Sequence, residues 1–415
     1  MRAIVVGVAS VVLLAGHASP AEAIPAFARK YRVSCAMCHA PIPRLNAFGE
    51  QFASNGFEFA PGEEPRDTIA TGDSLLRLQQ MLPLAVRFDA YVTALSRRYK
   101  GQASVDQMVP WVVKVLSGGQ VADRISYYMY FLASERGEVA GLEDAYVQFT
   151  DVANSGVNVI VGQFQVSDPL FKRELRLEYE DYQPYRVRVG HTRADLTYDR
   201  GIMALWSPAK GTDVAFEVVN GTGLSTANAA RQYDEDGLKN FALRVSQDIG
   251  PLRLGGFGYW GEEHANDTWS RVRMAGPDGT LNLGLKAELN FQYYRRWDDD
   301  PFLGACSVAE PCPGGATTNF ATTVDAAMAE LLFWPRGQAG RWVVAGLWNL
   351  IDADAPVVSL RLGEQDEAPG FLKRYHTGGV GVHYMLRRNL RLLGEGAWDF
   401  ERDQARLVTG TSLAF

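Results

Sequence analysis

Residues 84–93 alternate strictly: Leu84, Val86, Phe88, Ala90 and Val92 form an apolar row, and Ala85, Arg87, Asp89, Tyr91 and Thr93 a mostly polar one. Period-two alternation marks a strand with two unlike faces. About ten residues is also the length of a tilted membrane-spanning strand. A soluble sandwich would turn the same apolar row toward a core, so one strand leaves both readings open. The end of the chain repeats the pattern. Leu407, Thr409, Thr411, Leu413 and Phe415 alternate with Val408, Gly410, Ser412 and Ala414 up to the final carboxylate.

Read this way, the chain holds about sixteen strands, near 84–95, 108–117, 121–134, 141–150, 156–165, 198–207, 211–220, 239–248, 251–262, 268–275, 280–297, 320–334, 341–351, 374–386, 390–401 and 405–415. The connections alternate. Short turns fall at 118–120, 151–155, 207–210, 249–250, 276–279, 335–340 and 387–389, and the other set reaches thirty-two residues at 166–197. Short turns on one side and longer loops on the other are the outer-membrane arrangement. The terminal Phe415 strand also resembles the closing strand of bacterial outer-membrane barrels. In lipid an open sheet edge leaves backbone groups unsatisfied, so closure into an antiparallel barrel is expected. A sixteen-strand lumen stays aqueous unless something fills it.

Two sets of charges sit in loops. The 166–197 connection carries Lys172, Arg173, Glu174, Arg176, Glu178, Glu180, Asp181, Arg186, Arg188 and Arg193. It either folds inward as a pore-narrowing loop or lies solvated on the surface. Its arginines would select anions in the first case and be ordinary paired charges in the second. Cys306 and Cys312, six apart in the 298–319 loop, are expected to form a disulfide.

Residues 1–23 read as a secretory signal: Arg2, an apolar run from Ile4 to Ala15, and Ala21-Glu22-Ala23 for cleavage. Export permits disulfides. Composition is compatible with these assignments. The chain has 415 residues, 47% hydrophobic and 21% charged, which excludes a disordered chain. Mean hydropathy is −0.13, as alternating strands allow. The net charge of −7 argues against a nucleic-acid partner. Aromatics at 11% suit interfacial girdles.

The motif that carries chemistry is Cys35-Ala-Met-Cys38-His39. C-x-x-C-H is the attachment sequence for a c-type haem: the thiols add to its vinyl groups, and the adjacent His39 is the proximal iron ligand. A redox disulfide lacks the surrounding βαβ pattern, and zinc lacks a second C-x-x-C. Pro43 is expected to begin a helix. Leu45, Phe48 and Phe52 would share one face of it, and Asn55-Gly56 would end it. That face could cover a porphyrin or pack on the barrel wall. The distal candidates are Met81, just before the first strand, and His191, in the long loop; Met37, inside the attachment loop, would not reach the distal side.

The segment from Ile24 to Phe57, with Pro25, Phe27-Ala28-Arg29, Cys35, Cys38, His39, Pro43, Leu45, Phe48-Gly49, Phe52 and Gly56, resembles the start of the fused monohaem cytochrome–porins of the bacterial outer membrane. The resemblance implies a signal peptide at 1–23, a monohaem c-type domain at 24–82 that plugs the lumen, and a porin-like barrel at 83–415, embedded in outer-membrane lipid. It further implies electron transfer through one haem c, from extracellular Fe(II) to a periplasmic c-type cytochrome, and hence iron-oxidising activity. Two alternatives stay open. One is a porin for small solutes, anions among them, with the haem as redox sensor or plug. The other is outward electron flow to an extracellular acceptor.

Overall fold

In the computed structural model, residues 26–64, 66, 68–81, 83–98, 102–308, 310–312, 315–360 and 371–415 are described. The signal segment 1–23 lies outside them. Sixteen antiparallel strands close into one barrel. They are β1 Leu84–Leu95, β2 Val105–Ala122, β3 Ile125–Glu135, β4 Gly141–Phe149, β5 Val157–Gln165, β6 Tyr198–Ala209, β7 Thr212–Val219 and β8 Asn240–Ile249. There follow β9 Leu252–Ala265, β10 Thr268–Leu283, β11 Ala287–Asp298, β12 Thr322–Phe333, β13 Trp342–Ala353, β14 Arg374–Arg387, β15 Leu390–Asp399 and β16 Gln404–Ala414. The ring closes where β16 pairs with β1, from Arg406 opposite Leu95 to Ala414 opposite Arg87.

The strand faces decide between lipid and core. On β11, Asn290, Gln292, Tyr294, Arg296 and Asp298 are buried, whereas Tyr293 and Arg295 between them are exposed. Around the ring the exposed residues are large and apolar, among them Trp206, Phe241, Leu243, Leu331, Val380 and Leu407. The buried ones are often polar: Asp89, Lys114, Glu263, Asp278, Glu330 and Arg391. Apolar outside and polar inside is the reverse of a soluble core and the signature of a membrane barrel.

Two turns expected from glycine clusters are instead strand. Strand β2 runs through Gly118-Gly119, and the chain reverses at Asp123-Arg124. A Cβ on Gly118 would lie 3.3 Å from the Phe27 ring and one on Gly119 2.8 Å from the Gln79 amide, so these glycines let the N-terminal segment approach the wall. Strand β10 likewise runs through 276–279 and reverses near 284–286. There a Cβ on Gly276 would sit 2.1 Å from the Tyr293 carbonyl oxygen. Pro277 has no N–H to give, and the pairing with β11 skips from Ala275–Arg295 to Asp278–Gln292. Glycine here marks close approach of backbones, not reversal.

The long 166–197 connection folds inward. Val166, Tyr182, Tyr185, Val187, Val189 and Leu196 are buried against inner-face residues of β10–β13 such as Met274, Tyr294, Met328 and Ile351. Arg296, fully buried, clamps it: Nη1 donates to the carbonyls of Ala194 (2.7 Å) and Val187 (3.2 Å), Nη2 to Thr192 Oγ1 (2.8 Å), while Asp298 neutralises the charge at 2.8 Å. Residues 187–189 also pair with 358–360, so two loops form a small ribbon. One side of the lumen is thereby filled.

The N-terminal segment occupies the short-turn end. It has two helices, α1 Ala26–Tyr31 and α2 Ala47–Ser54. Helix α2 starts at Ala47 rather than at Pro43 because Asn46 caps it, its side chain accepting from the Gly49 N–H at 3.0 Å. Gly56 ends it with φ +73 and faces Ser126 and Thr150 on the wall.

Candidate functional site

Cys35–Met37 form one turn of 3-10 helix, with Ser34 Oγ accepting from the Ala36 N–H at 3.3 Å. The backbone N–H groups of Cys38 and His39 both donate to the Cys35 carbonyl, at 3.2 and 2.9 Å. That tight turn sets both cysteines and His39 around one cavity. Helix α2 is laid directly on the turn. Asn46 donates from Nδ2 to the Met37 carbonyl (3.0 Å) and from its backbone to the Cys38 carbonyl (2.9 Å). Gly49 faces the same carbonyl, and a Cβ there would lie 2.3 Å from the Cys38 oxygen. No larger residue permits this approach.

The cavity measures about 280 Å³, near the small end of ligand pockets. Cys35, Cys38, His39, Leu45, Phe52 and Phe57 line one part, and Leu116, Tyr128 and Tyr146 of the barrel face them. At its other end the lining turns charged, with Arg87, Lys114, Asp144, Asp168, Lys172 and Glu174. Of the expected aromatic stripe, Leu45 and Phe52 line the cavity, while Phe48 turns away onto Phe59, ring centroids 5.9 Å apart.

The donor set has a definite chemistry. Cys35 and Cys38 are free and partly buried. Burial pushes both thiols up from their ordinary range, and at Cys38 the neighbouring Cys35 adds to the rise. Raised thiols are unlike the low-pKa pair of a thiol–disulfide oxidoreductase. His39 Nδ1 lies 3.1 Å from the Pro43 carbonyl. Donation to that carbonyl fixes the tautomer and leaves Nε2 with its lone pair for a metal. Among the described residues no group of three or more His, Cys, Asp or Glu could hold a metal ion. The cavity could therefore hold a planar apolar group fastened by two thiols and ligated by one imidazole.

The remaining sequence candidates lie elsewhere. Met81 is 50% exposed and does not line this cavity. His191 packs on Phe302 and Phe371, with ring centroids at 5.2 and 6.3 Å, and does not line it either. Cys306 and Cys312 form a disulfide, Cα atoms 5.1 Å apart. Sequence reasoning missed the groups that seat the N-terminal segment. Arg44 bridges Glu288 and Glu330 on the inner wall, 3.1 Å from the latter, and Trp334 Nε1 donates to the Ala40 carbonyl at 3.0 Å. These partners are more than 240 residues apart in the chain, and no local pattern signals them.

A second cavity, about 470 Å³, opens toward the long loops. Its arginines are mostly committed to acids. Arg173, Arg186 and Arg176 converge on Asp181 at 2.6, 2.9 and 3.5 Å, and Arg188 pairs with Asp195 at 2.8 Å. Arg193, which does not line this cavity, lies 3.7 Å from Glu263. Burial alone would raise Asp181, yet Arg173, Arg176 and Arg186 hold its carboxyl well below the usual range. In all, nine basic and nine acidic side chains line the cavity.

No family model and no curated protein sequence matches the chain. Solved structures do resemble it. An anion-selective porin from Comamonas acidovorans aligns with TM-score 0.56 at 11% identity, covering 81% of this chain and 99% of that one. The outer-membrane channel DcaP of Acinetobacter baumannii gives 0.53 at 10% identity, covering 80% and 96%. Salmonella typhi OmpF in complex with daunomycin gives 0.52 at 8%, covering 84% and 100%. At such identities the likeness is one of fold. With an apolar outer band and a closed ring of sixteen strands, the chain is a β-barrel of the bacterial outer membrane, built like the porins.

Proposed function

We propose that this barrel carries one covalent c-type haem in the cavity at its periplasmic end and passes single electrons between an external donor and a periplasmic c-type cytochrome. The observation that carries this reading is the cavity itself: two free thiols, an imidazole whose Nδ1 is committed to Pro43, and an apolar wall formed jointly by the N-terminal segment and the barrel. A haem bound there supplies a one-electron redox centre. Cys35 and Cys38 would fasten it, His39 Nε2 would ligate the iron, and Leu45, Phe52, Phe57 and Tyr128 would exclude water from its faces. Arg44 and Trp334 hold the segment in register with the wall. Extracellular Fe(II) is the donor implied by the N-terminal resemblance to the cytochrome–porins; it would lose one electron and remain outside as Fe(III).

Purified protein mixed with Fe(II) tests the reading through the haem α-band. Reduction of a covalent haem supports it. Absence of covalent haem in protein matured with a haem-attachment system refutes the site, and covalent haem that Fe(II) never reduces refutes iron as donor.

A second reading is favoured by the porin fold and by the cavity open to the outside: a channel for small solutes, with the N-terminal segment as plug. The pairing of Arg173, Arg176, Arg186 and Arg188 with acids weakens a strong preference for anions. Planar-bilayer recording separates the readings, because a large steady conductance favours the channel and a closed barrel the electron conduit.

A further inference from the structure

The outer cavity and the cysteine–histidine cavity share three lining residues, Arg87, Lys114 and Glu174. Lys114 Nζ is ion-paired with Glu174, and the two side chains are 9% and 20% exposed. Lys114 also sits over the Tyr130 ring, 4.7 Å from its centroid. Arg87 holds the layer from the side, donating to the Glu174 backbone carbonyl at 3.4 Å and to Asp89 at 2.8 Å. Lys114 comes from the wall, on β2, whereas Glu174 comes from the inward loop. The partition is thus one ion pair thick, and its halves belong to different elements.

We propose that the outer cavity is the binding site of a small soluble redox donor, and that the Lys114–Glu174 pair is the gate between that donor and the cysteine–histidine cavity. This rests on the haem reading above. The enclosing walls and a volume of about 470 Å³ admit a hydrated or chelated metal ion or a small organic reductant and exclude a protein. Nine basic against nine acidic linings give no strong preference for either sign of charge, so size and the gate select. The donor would lose one electron to a haem held in the cysteine–histidine cavity, and no proton or bond need move. A closed gate keeps bulk water from the apolar cavity while leaving the donor one side-chain layer away.

The test uses the full-length holoprotein in liposomes, with reagents added to the outer-loop side. The variant Lys114→Met/Glu174→Gln removes the pair with little change in volume. The charge-swapped Lys114→Glu/Glu174→Lys restores it in reverse. Two readouts are followed: reduction of the haem by external ascorbate, and the spectral change on binding external cyanide. In the neutralised variant both rates rise about tenfold, equivalent to ~1.4 kcal/mol removed from the closed state. In the swapped variant both return toward the parent rate. External reduced cytochrome c reduces none of the three proteins. Rates unchanged by neutralisation, or ready reduction by the external cytochrome, would overturn the proposal while leaving the haem reading intact. Absence of covalent haem in the parent protein would overturn both.

Discussion

Arg44→Met offers the sharpest test of how the N-terminal segment is seated. Arg44, 11% exposed, is the cation between Glu288 and Glu330, which are 15% and 1% exposed. The substitution keeps most of the apolar stem and leaves two carboxylates facing each other across Asn290, which donates to both. Breaking a buried pair by removing one partner costs about 3–5 kcal/mol. Two things discount that figure here. Arg44 retains some solvent, and Glu330 keeps its bonds from Tyr182 and Asn290. An opening cost lowered by about 2–3 kcal/mol is expected, most of it from the stranded charge on Glu330. Glu330→Gln in the Arg44→Met background removes that charge, so a double-mutant cycle should return a coupling of about 2 kcal/mol. The assay is native-state cleavage by chymotrypsin at Phe27 and Tyr31, with the barrel followed separately by its heat-modifiable migration on gels. Since each 1.4 kcal/mol is about tenfold in open population, Arg44→Met should be cut roughly 30–100 times faster with the barrel unchanged. Cleavage at the parent rate, or no recovery with Glu330→Gln, would refute the tether.

Three further outcomes follow from the same geometry. Gly49→Ala places a methyl group against the Cys38 carbonyl and should cost about 1–3 kcal/mol locally, read as faster N-terminal cleavage and less haem stain on denaturing gels. Val380→Arg puts a charge on the lipid face in the middle of β14 and should cost about 2–4 kcal/mol of barrel stability, read by urea titration in micelles; no change would place that face elsewhere. Asp181 is depressed in the folded loop, so its contribution is full above the unfolded carboxyl value of about 3.9 and is lost as pH falls through its lower folded value. The share of protection against hydrogen exchange across 173–186 that Asp181 supplies, corrected for intrinsic rate, should therefore be constant from pH 7 to 5 and be lost only in strong acid. Asp181→Asn should accelerate exchange across 173–186 wherever Asp181 is ionised and change nothing below its folded value.

The strand count and the apolar row of β1 were legible because a membrane strand advertises itself locally: ten residues of alternation carry the whole signal. The C-x-x-C-H motif is likewise local, since its five residues meet through the Cys35 carbonyl and need nothing distant to form their turn. The start of α2 was misplaced by four residues because capping by Asn46 outweighs the preference of Pro43 for a first turn. Gly118-Gly119 and 276–279 misled for a different reason. A glycine's missing Cβ serves reversal and close approach equally, and only the neighbours (Phe27, Gln79 and Tyr293 here) tell which.

The sequence alone determined the alternation of faces, a count of about sixteen strands and the C-x-x-C-H spacing of Cys35, Cys38 and His39, because each follows from residues adjacent in the chain. The tertiary structure decided the rest. It put the apolar faces outward, turned the 166–197 loop inward onto Arg296, seated Arg44 between Glu288 and Glu330, and set Lys114 against Glu174 between two cavities. Each of these joins charges or surfaces dozens to hundreds of residues apart. A buried ion pair is fixed by where closure of the barrel brings its partners, and closure is a property of the whole ring, not of any segment.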